Sequence, residues 1–163
     1  MPVAKKFWLM KSEPDAFSFD DLMAEPDATA HWDGVRNYQA RNMMRDDMQV
    51  GDKVFFYHSR TKPPHIAGIA TVVKAGYPDH TALDPKAPYF DAKSDPENPR
   101  WFMVDIQGER ALDPVVSLDD LKDNPALEEM KVVQKGQRLS VQPVTQAEYD
   151  EVLRMEERMR TNS

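Results

Sequence analysis

Residues 32–59, WDGVRNYQARNMMRDDMQVGDKVFFYHS, decide how the rest of the chain is read. They open with an aromatic and a turn, Trp32-Asp33-Gly34. Two polar triplets follow, five residues apart: Val35-Arg36-Asn37 and Ala40-Arg41-Asn42. Asn37 suits the N-cap of a helix over residues 38–45, because its short side chain accepts a bond from an unpaired N–H of the first turn. Asp46 and Asp47 stand against the dipole at the far end of that helix. Gly51-Asp52 then makes a turn, and Lys53–His58 reads as a strand of valine and aromatics. Alternation puts Val54, Phe56 and His58 on one face, and Lys53, Phe55 and Tyr57 on the other.

Outward from this stretch the chain supplies more strands than helices. Residues 6–10 form a strand with apolar side chains on both faces, as in the middle of a sheet. Pro14 halts its pairing, and the loop before it either presents Lys11, Ser12 and Glu13 at the strand end or is a plain surface turn. Residues 66–73 form another strand, in which Gly68 marks a bulge or bend of the kind found at barrel corners. In residues 100–107, Phe102, Val104 and Ile106 face the core while Trp101, Met103 and Asp105 face away. Residues 137–144 alternate, with Leu139 and Val141 inward and Arg138, Ser140 and Gln142 outward.

Three capping boxes start helices at Ser18, Ser117 and Thr145, each with a carboxylate three residues on. The last opens a C-terminal helix with Tyr149, Val152, Leu153 and Met159 on its apolar stripe. Residues 77–100 carry Pro78, Pro85, Pro88, Pro96 and Pro99, which exclude a long helix or a central strand. We read this segment as an ordered wrap held by Tyr89 and Phe90. About five strands and a few short helices, without strand–helix alternation, indicate an α+β fold around a small, curved, partly closed barrel.

Composition bounds the function. The 163 residues suit one domain spanning 1–163. There is no cysteine, so disulfides, thiol catalysis and thiolate metal sites are excluded. No apolar run approaches the ~18 residues of a membrane span, and the reading is a cytoplasmic protein with no membrane partner. The net charge of -7 argues against a non-specific nucleic-acid coat. Residues 1–75 hold ten cations and ten carboxylates, so the whole deficit lies in the second half.

No catalytic constellation stands out. Ser12, His58 and Asp33 could be assembled into a triad, but no nucleophile-elbow motif supports it. His31, His58, His65 and His80 lack metal-ligand spacing. Neither a cofactor nor a metal is expected. Binding suits the residues better. A flat base is held by stacking on aromatics and by hydrogen bonds to its edge, and Trp32, Asn37, Tyr57, Ser12 and Arg138 are the right types. Trp32 fits a core tryptophan equally well, and Arg41 and Arg45 fit a solvated helix face.

The blocks FWLMKSEP, WDGVRNYQARN, VGDKVFFYHS, IAGIATVVK, YPD, SDPENPRWFMVD and RLSVQPVT resemble the EVE domain family, which includes many stand-alone bacterial proteins. The resemblance covers nearly the whole chain. It implies a PUA-like fold, a mixed-sheet pseudo-barrel with flanking short helices and a C-terminal helix. It also implies a module that reads a modified nucleobase in DNA or RNA. Related YTH domains read methylated adenine, while ASCH relatives carry hydrolysis and keep a small nucleotide- or metabolite-directed enzyme open as the alternative. The matching blocks place the base pocket at Ser12, Trp32, Val35, Asn37, Tyr57, His58 and Ser140, with Arg36, Arg41, Arg138 and Lys11 on phosphates.

Overall fold

The computed structural model describes residues 6–33, 35–136 and 139–161. Its elements in chain order are β1 (Phe7–Ser12), α1 (Phe19–Ala24), β2 (Thr29–His31), α2 (Tyr38–Asn42), β3 (Lys53–His58), β4 (His65–Pro78), β5 (Phe102–Ser117), α3 (Leu118–Lys122), β6 (Val141–Val144) and α4 (Gln146–Thr161). The six strands form one sheet in the order β2-β5-β4-β3-β1-β6. β1 runs parallel to β3, from Phe7 opposite Lys53 to Ser12 opposite His58, and every other pair is antiparallel. The α+β architecture, a mixed sheet with flanking short helices and a C-terminal helix, is the one expected.

Period-2 alternation divides the interior into two cores. Trp8 and Met10 of β1, with Val54 and Phe56 of β3, join the first, which also holds Phe19 and Leu22 of α1, Trp32 and Met44. Leu9, Phe55 and Tyr57 point the other way and pack with Leu121 of α3 and Tyr149 and Val152 of α4. The turn before β3 is closed by the buried Asp52 carboxylate, which accepts from the Trp8 indole at 2.9 Å and the Gln49 N–H at 2.9 Å. Gly51 beside it adopts φ 97°, a left-handed conformation that suits glycine.

All three capping boxes form as read, at Ser18–Asp21, Ser117–Asp120 and Thr145–Glu148. Asn37 caps α2 through the Ala40 N–H at 3.0 Å. The bulge at Gly68 is present as a register shift between β4 and β5, and the Phe19 ring lies where a Cβ on Gly68 would be.

Other expectations need correction. β4 and β5 are far longer than read, at 14 and 16 residues, and their pairing slips at several places. Met103 of β5, expected to face away, is fully buried in the first core. β6 starts only at Val141, so Leu139 and Ser140 precede it, and Gln142 is buried with its amide donating to the Leu139 carbonyl. The expected 38–45 helix is α for one turn and continues as a π-helix over Met43–Asp47. On α4 the buried positions are Tyr149, Val152, Met155 and Glu156. Glu156 accepts both Arg110 nitrogens, at 2.7 and 2.9 Å, and so turns a charge inward.

The 77–100 segment lies against the fold as a wrap, but its aromatics Tyr89 and Phe90 are not what hold it. Tyr89 and Phe90 are 44% and 43% exposed. The anchors are Asp79, whose carboxylate accepts from the Thr81 N–H and hydroxyl, and Trp101, whose indole donates to Asp91 at 2.7 Å.

Candidate functional site

A cavity of about 620 Å³ lies among the β1–α1 loop, β2 with the residues that follow it, and Tyr89 of the wrap. The loop is folded back on itself. Ser12 Oγ donates to the Phe17 carbonyl at 2.5 Å, and the Ala16 and Phe17 N–H groups both bond the Glu13 carbonyl at 2.9 Å.

Behind the loop, the Phe19 N–H donates to His58 Nε2 at 3.0 Å. That nitrogen therefore carries no proton, and the His58 proton resides on Nδ1. Nδ1 stands 3.1 Å from His65 Nε2, and His65 Nδ1 stands 2.8 Å from the Pro63 carbonyl. The relay from Pro63 to Phe19 thus requires two neutral imidazoles in defined tautomers. Burial is the main cause that lowers the His58 pKa, and the neighbouring His65 ring adds to it.

Trp32 forms one wall. It is 9% exposed, packs edge-on against Phe56 at 5.4 Å, and its backbone N–H donates to the Val104 carbonyl. It is a core residue and a cavity residue together. Phe17 and Tyr89 add aromatic surface. The charged lining is carboxylate: Glu13, Glu25, Asp33 and Asp105, with His31 Nε2 3.9 Å from Asp33. Asp105 accepts from the Tyr77 hydroxyl. Burial, reinforced by that carboxylate, raises the Tyr77 pKa, so the phenol stays a donor. The chamber thus offers flat apolar faces and hydrogen-bond acceptors.

Of the expected pocket residues, Ser12 and Trp32 line the cavity. Tyr57 does not. Alternation turns it away from Phe56 into the second core, where it is 3% exposed and burial pushes its phenol up to about 12. Val35 is buried in the first core, and His58 serves the relay behind the loop. Asn37 is exposed, with its carbonyl oxygen committed to α2. Ser140 contributes its backbone, accepting the Lys11 N–H at 2.8 Å.

Among the expected phosphate ligands, Arg36 is turned into the fold. It bonds the Asp79 carboxylate at 3.1 Å and the Tyr89 carbonyl at 2.6 Å, and lies over the Trp101 ring at 5.3 Å. Arg41 bonds the Arg100 carbonyl at 2.8 Å and the Asn42 amide oxygen at 3.0 Å. Lys11 is half-buried, and burial lowers its pKa. Arg138 and the Gly34 turn position lie outside the described residues. Phe17, Glu25, Asp105 and Tyr89 were missed as lining residues. Only Tyr89, an aromatic in a proline-rich segment, carried a signal, and it read as an anchor rather than a rim.

Residues 6–155 match the model of a family described as EVE domain. Thymocyte nuclear protein 1 of Homo sapiens is 45% identical over 168 residues, which cover 93% of this chain and 74% of that protein. A crystal structure of a Pseudomonas syringae protein superposes with a TM-score of 0.86 at 49% identity, covering 92% of this chain and 99% of that one. The human THYN1 protein, in complex with 5-methylcytosine-containing DNA, superposes with a TM-score of 0.88 at 45% identity, covering 94% of this chain and 98% of that one.

Proposed function

The chain belongs to the EVE domain family, and from that premise we propose that it is a non-catalytic module that accepts one unstacked, modified base of DNA in the cavity beside Trp32. The observation that carries this reading is the lining itself, aromatic walls with carboxylate acceptors between them. Extruding a base costs a few kcal/mol of stacking, and a pocket recovers it by stacking and edge hydrogen bonds. Aspartate and glutamate accept from the amino group of cytosine. Asp33, Asp105, Glu13 and Glu25 are the acceptors on offer. The complex of the human THYN1 protein with 5-methylcytosine-containing DNA supports a modified cytosine as the first ligand to try.

The same geometry supports holding rather than turnover. Glu13 is the lining carboxylate nearest the KSEP strand end, and it is half-exposed and paired with Arg60 at 3.1 Å. General-acid work calls for a carboxylate withdrawn from water, and Glu13 is not withdrawn. The test is a titration of labelled duplexes that differ only at one cytosine, plain or 5-methylated, alongside the matching RNA. Tighter binding to the methylated duplex, with every oligonucleotide recovered unchanged, is the expected result. Equal affinity for the plain and methylated duplexes, or a chemically altered base, would overturn it.

A further inference from the structure

A second depression, of about 510 Å³, lies between α2 and the wrap, lined by Arg41, Arg45, Lys93 and Arg100 together with Tyr38 and Asp95. Four cations against one lining carboxylate is an unusual concentration in a chain of net charge -7. Two further carboxylates stand behind it: Asp46, which holds Arg45 at 2.8 Å, and Asp91, 3.6 Å from Arg100. The four cations still outnumber these three carboxylates, and Arg41, which attracts Asp46 through space, makes its hydrogen bonds to neutral acceptors, the Arg100 carbonyl and the Asn42 amide.

The depression is joined to the acidic cavity by a continuous run of stacked groups. Tyr89 lines the cavity. Arg36 lies 5.9 Å over Tyr89 and 5.3 Å over Trp101. Trp101 stacks on Tyr38 at 4.9 Å and 17°, and Arg41 covers Tyr38 at 4.7 Å. Two chambers of opposite charge therefore share one wall. An acidic chamber repels phosphate and accepts amino groups, and a basic one does the reverse.

On this ground, and resting on the base-binding reading, we propose that the trough of Arg41, Arg45, Lys93 and Arg100 carries the phosphodiester backbone flanking the extruded base. The trough sets affinity and orientation, and the cavity sets which base is accepted. The ligand is the nucleic-acid backbone. An acidic protein segment is the competing partner and is an outcome of the test.

The test uses the charge reversals Arg45→Glu and Lys93→Glu, singly and together, at positions away from the cavity lining. Binding to plain and 5-methylcytosine duplexes is measured across salt concentration, with polyglutamate as a competing polyanion. Each phosphate contact steepens the log–log salt slope by about 0.9, equivalent to roughly tenfold in affinity at 0.1 M salt. Each variant should lose at least that much on both duplexes, flatten the slope by about 1, and keep the methylated-to-plain ratio. Wild-type affinity and slope in the double variant would overturn the trough while leaving the base-binding reading standing. A wild-type protein that binds no duplex would overturn both. Binding to polyglutamate in place of DNA, abolished by the same reversals, would overturn the backbone assignment in favour of an acidic protein.

Discussion

Arg36 and Asp79 form an inward-facing ion pair, 3.1 Å apart, with the arginine 24% exposed and the carboxylate wholly buried. The other Arg36 nitrogen holds the Tyr89 carbonyl. This pair fastens the wrap to the segment after Trp32, and it connects the cavity rim to the core. Arg36→Ala would take the guanidinium away from the buried Asp79 charge. We expect a loss of about 3–5 kcal/mol of stability, the usual cost of breaking a buried pair from one side. Denaturant unfolding checks it, and a change below ~1 kcal/mol would place the pair outside the structural framework.

Gly68 sits beneath the Phe19 ring. A Cβ there would stand 2.4–2.6 Å from three ring carbons, inside any tolerable contact. Phe19 is itself buried and packed edge-on against Phe56. Gly68→Ala is expected to cost about 1–3 kcal/mol through overpacking. Adding Phe19→Leu should recover part of the loss, which thermal melts of the single and double variants would show.

The imidazole relay predicts acid sensitivity at the cavity loop. The folded His58 pKa is lowered, by burial and next by the neighbouring His65 ring, with Asp20 opposing. The unfolded chain therefore binds a proton first. The contribution is fully present above the ordinary imidazole value of ~6.5 and is lost as pH falls through that value toward the folded one. Protonation at Nε2 also removes the acceptor for the Phe19 N–H. Between pH 7.5 and 5.5 the melting temperature should drop, and His58→Gln, whose amide oxygen can still accept from Phe19, should show a smaller drop. Equal drops in both proteins would assign the sensitivity elsewhere.

Trp32 and Tyr89 separate stability from binding. Trp32→Ala removes a ring packed on Phe56 and should cost about 3–5 kcal/mol of stability. Tyr89→Ala removes an exposed ring from the rim, since Arg36 bonds its carbonyl rather than its hydroxyl, so the fold should persist. Loss of roughly 1–3 kcal/mol of stacking would weaken binding to a methylated duplex about ten- to hundredfold. Undiminished affinity in Tyr89→Ala would remove Tyr89 from the site.

What the sequence disclosed was local. The capping boxes and the Asn37 cap are legible because the donor and acceptor lie within three residues. Alternation correctly put Phe56 and Tyr57 on opposite faces. It could not say which face held the cavity, because that depends on α1 covering one side of the sheet and α4 the other. Alternation alone therefore leaves open that Tyr57 packs in the second core and not at the cavity. Arg36 read as a phosphate ligand because its partner, Asp79, lies far along the chain with no pattern linking the two. β2 is three residues long, too short to show a period, yet it supplies Thr29, Ala30 and His31 to the cavity. The acidic lining was hidden for the same reason, since Glu25, Asp33 and Asp105 come from three separate segments.

The pairing of β1 has a consequence for the order of events during synthesis. Residues 7–10 are clasped between β3 on one side and residues 141–144 of β6 on the other. β1 leaves the ribosome long before β6 exists. For that interval FWLM, apolar on both faces, has an open edge able to recruit a strand from another nascent chain. Closing the sheet waits on a contact between distant parts of the sequence, which slows folding and lengthens the exposure. A chain stalled before Val141 should therefore be captured by chaperones or aggregate, and one released after β6 should not.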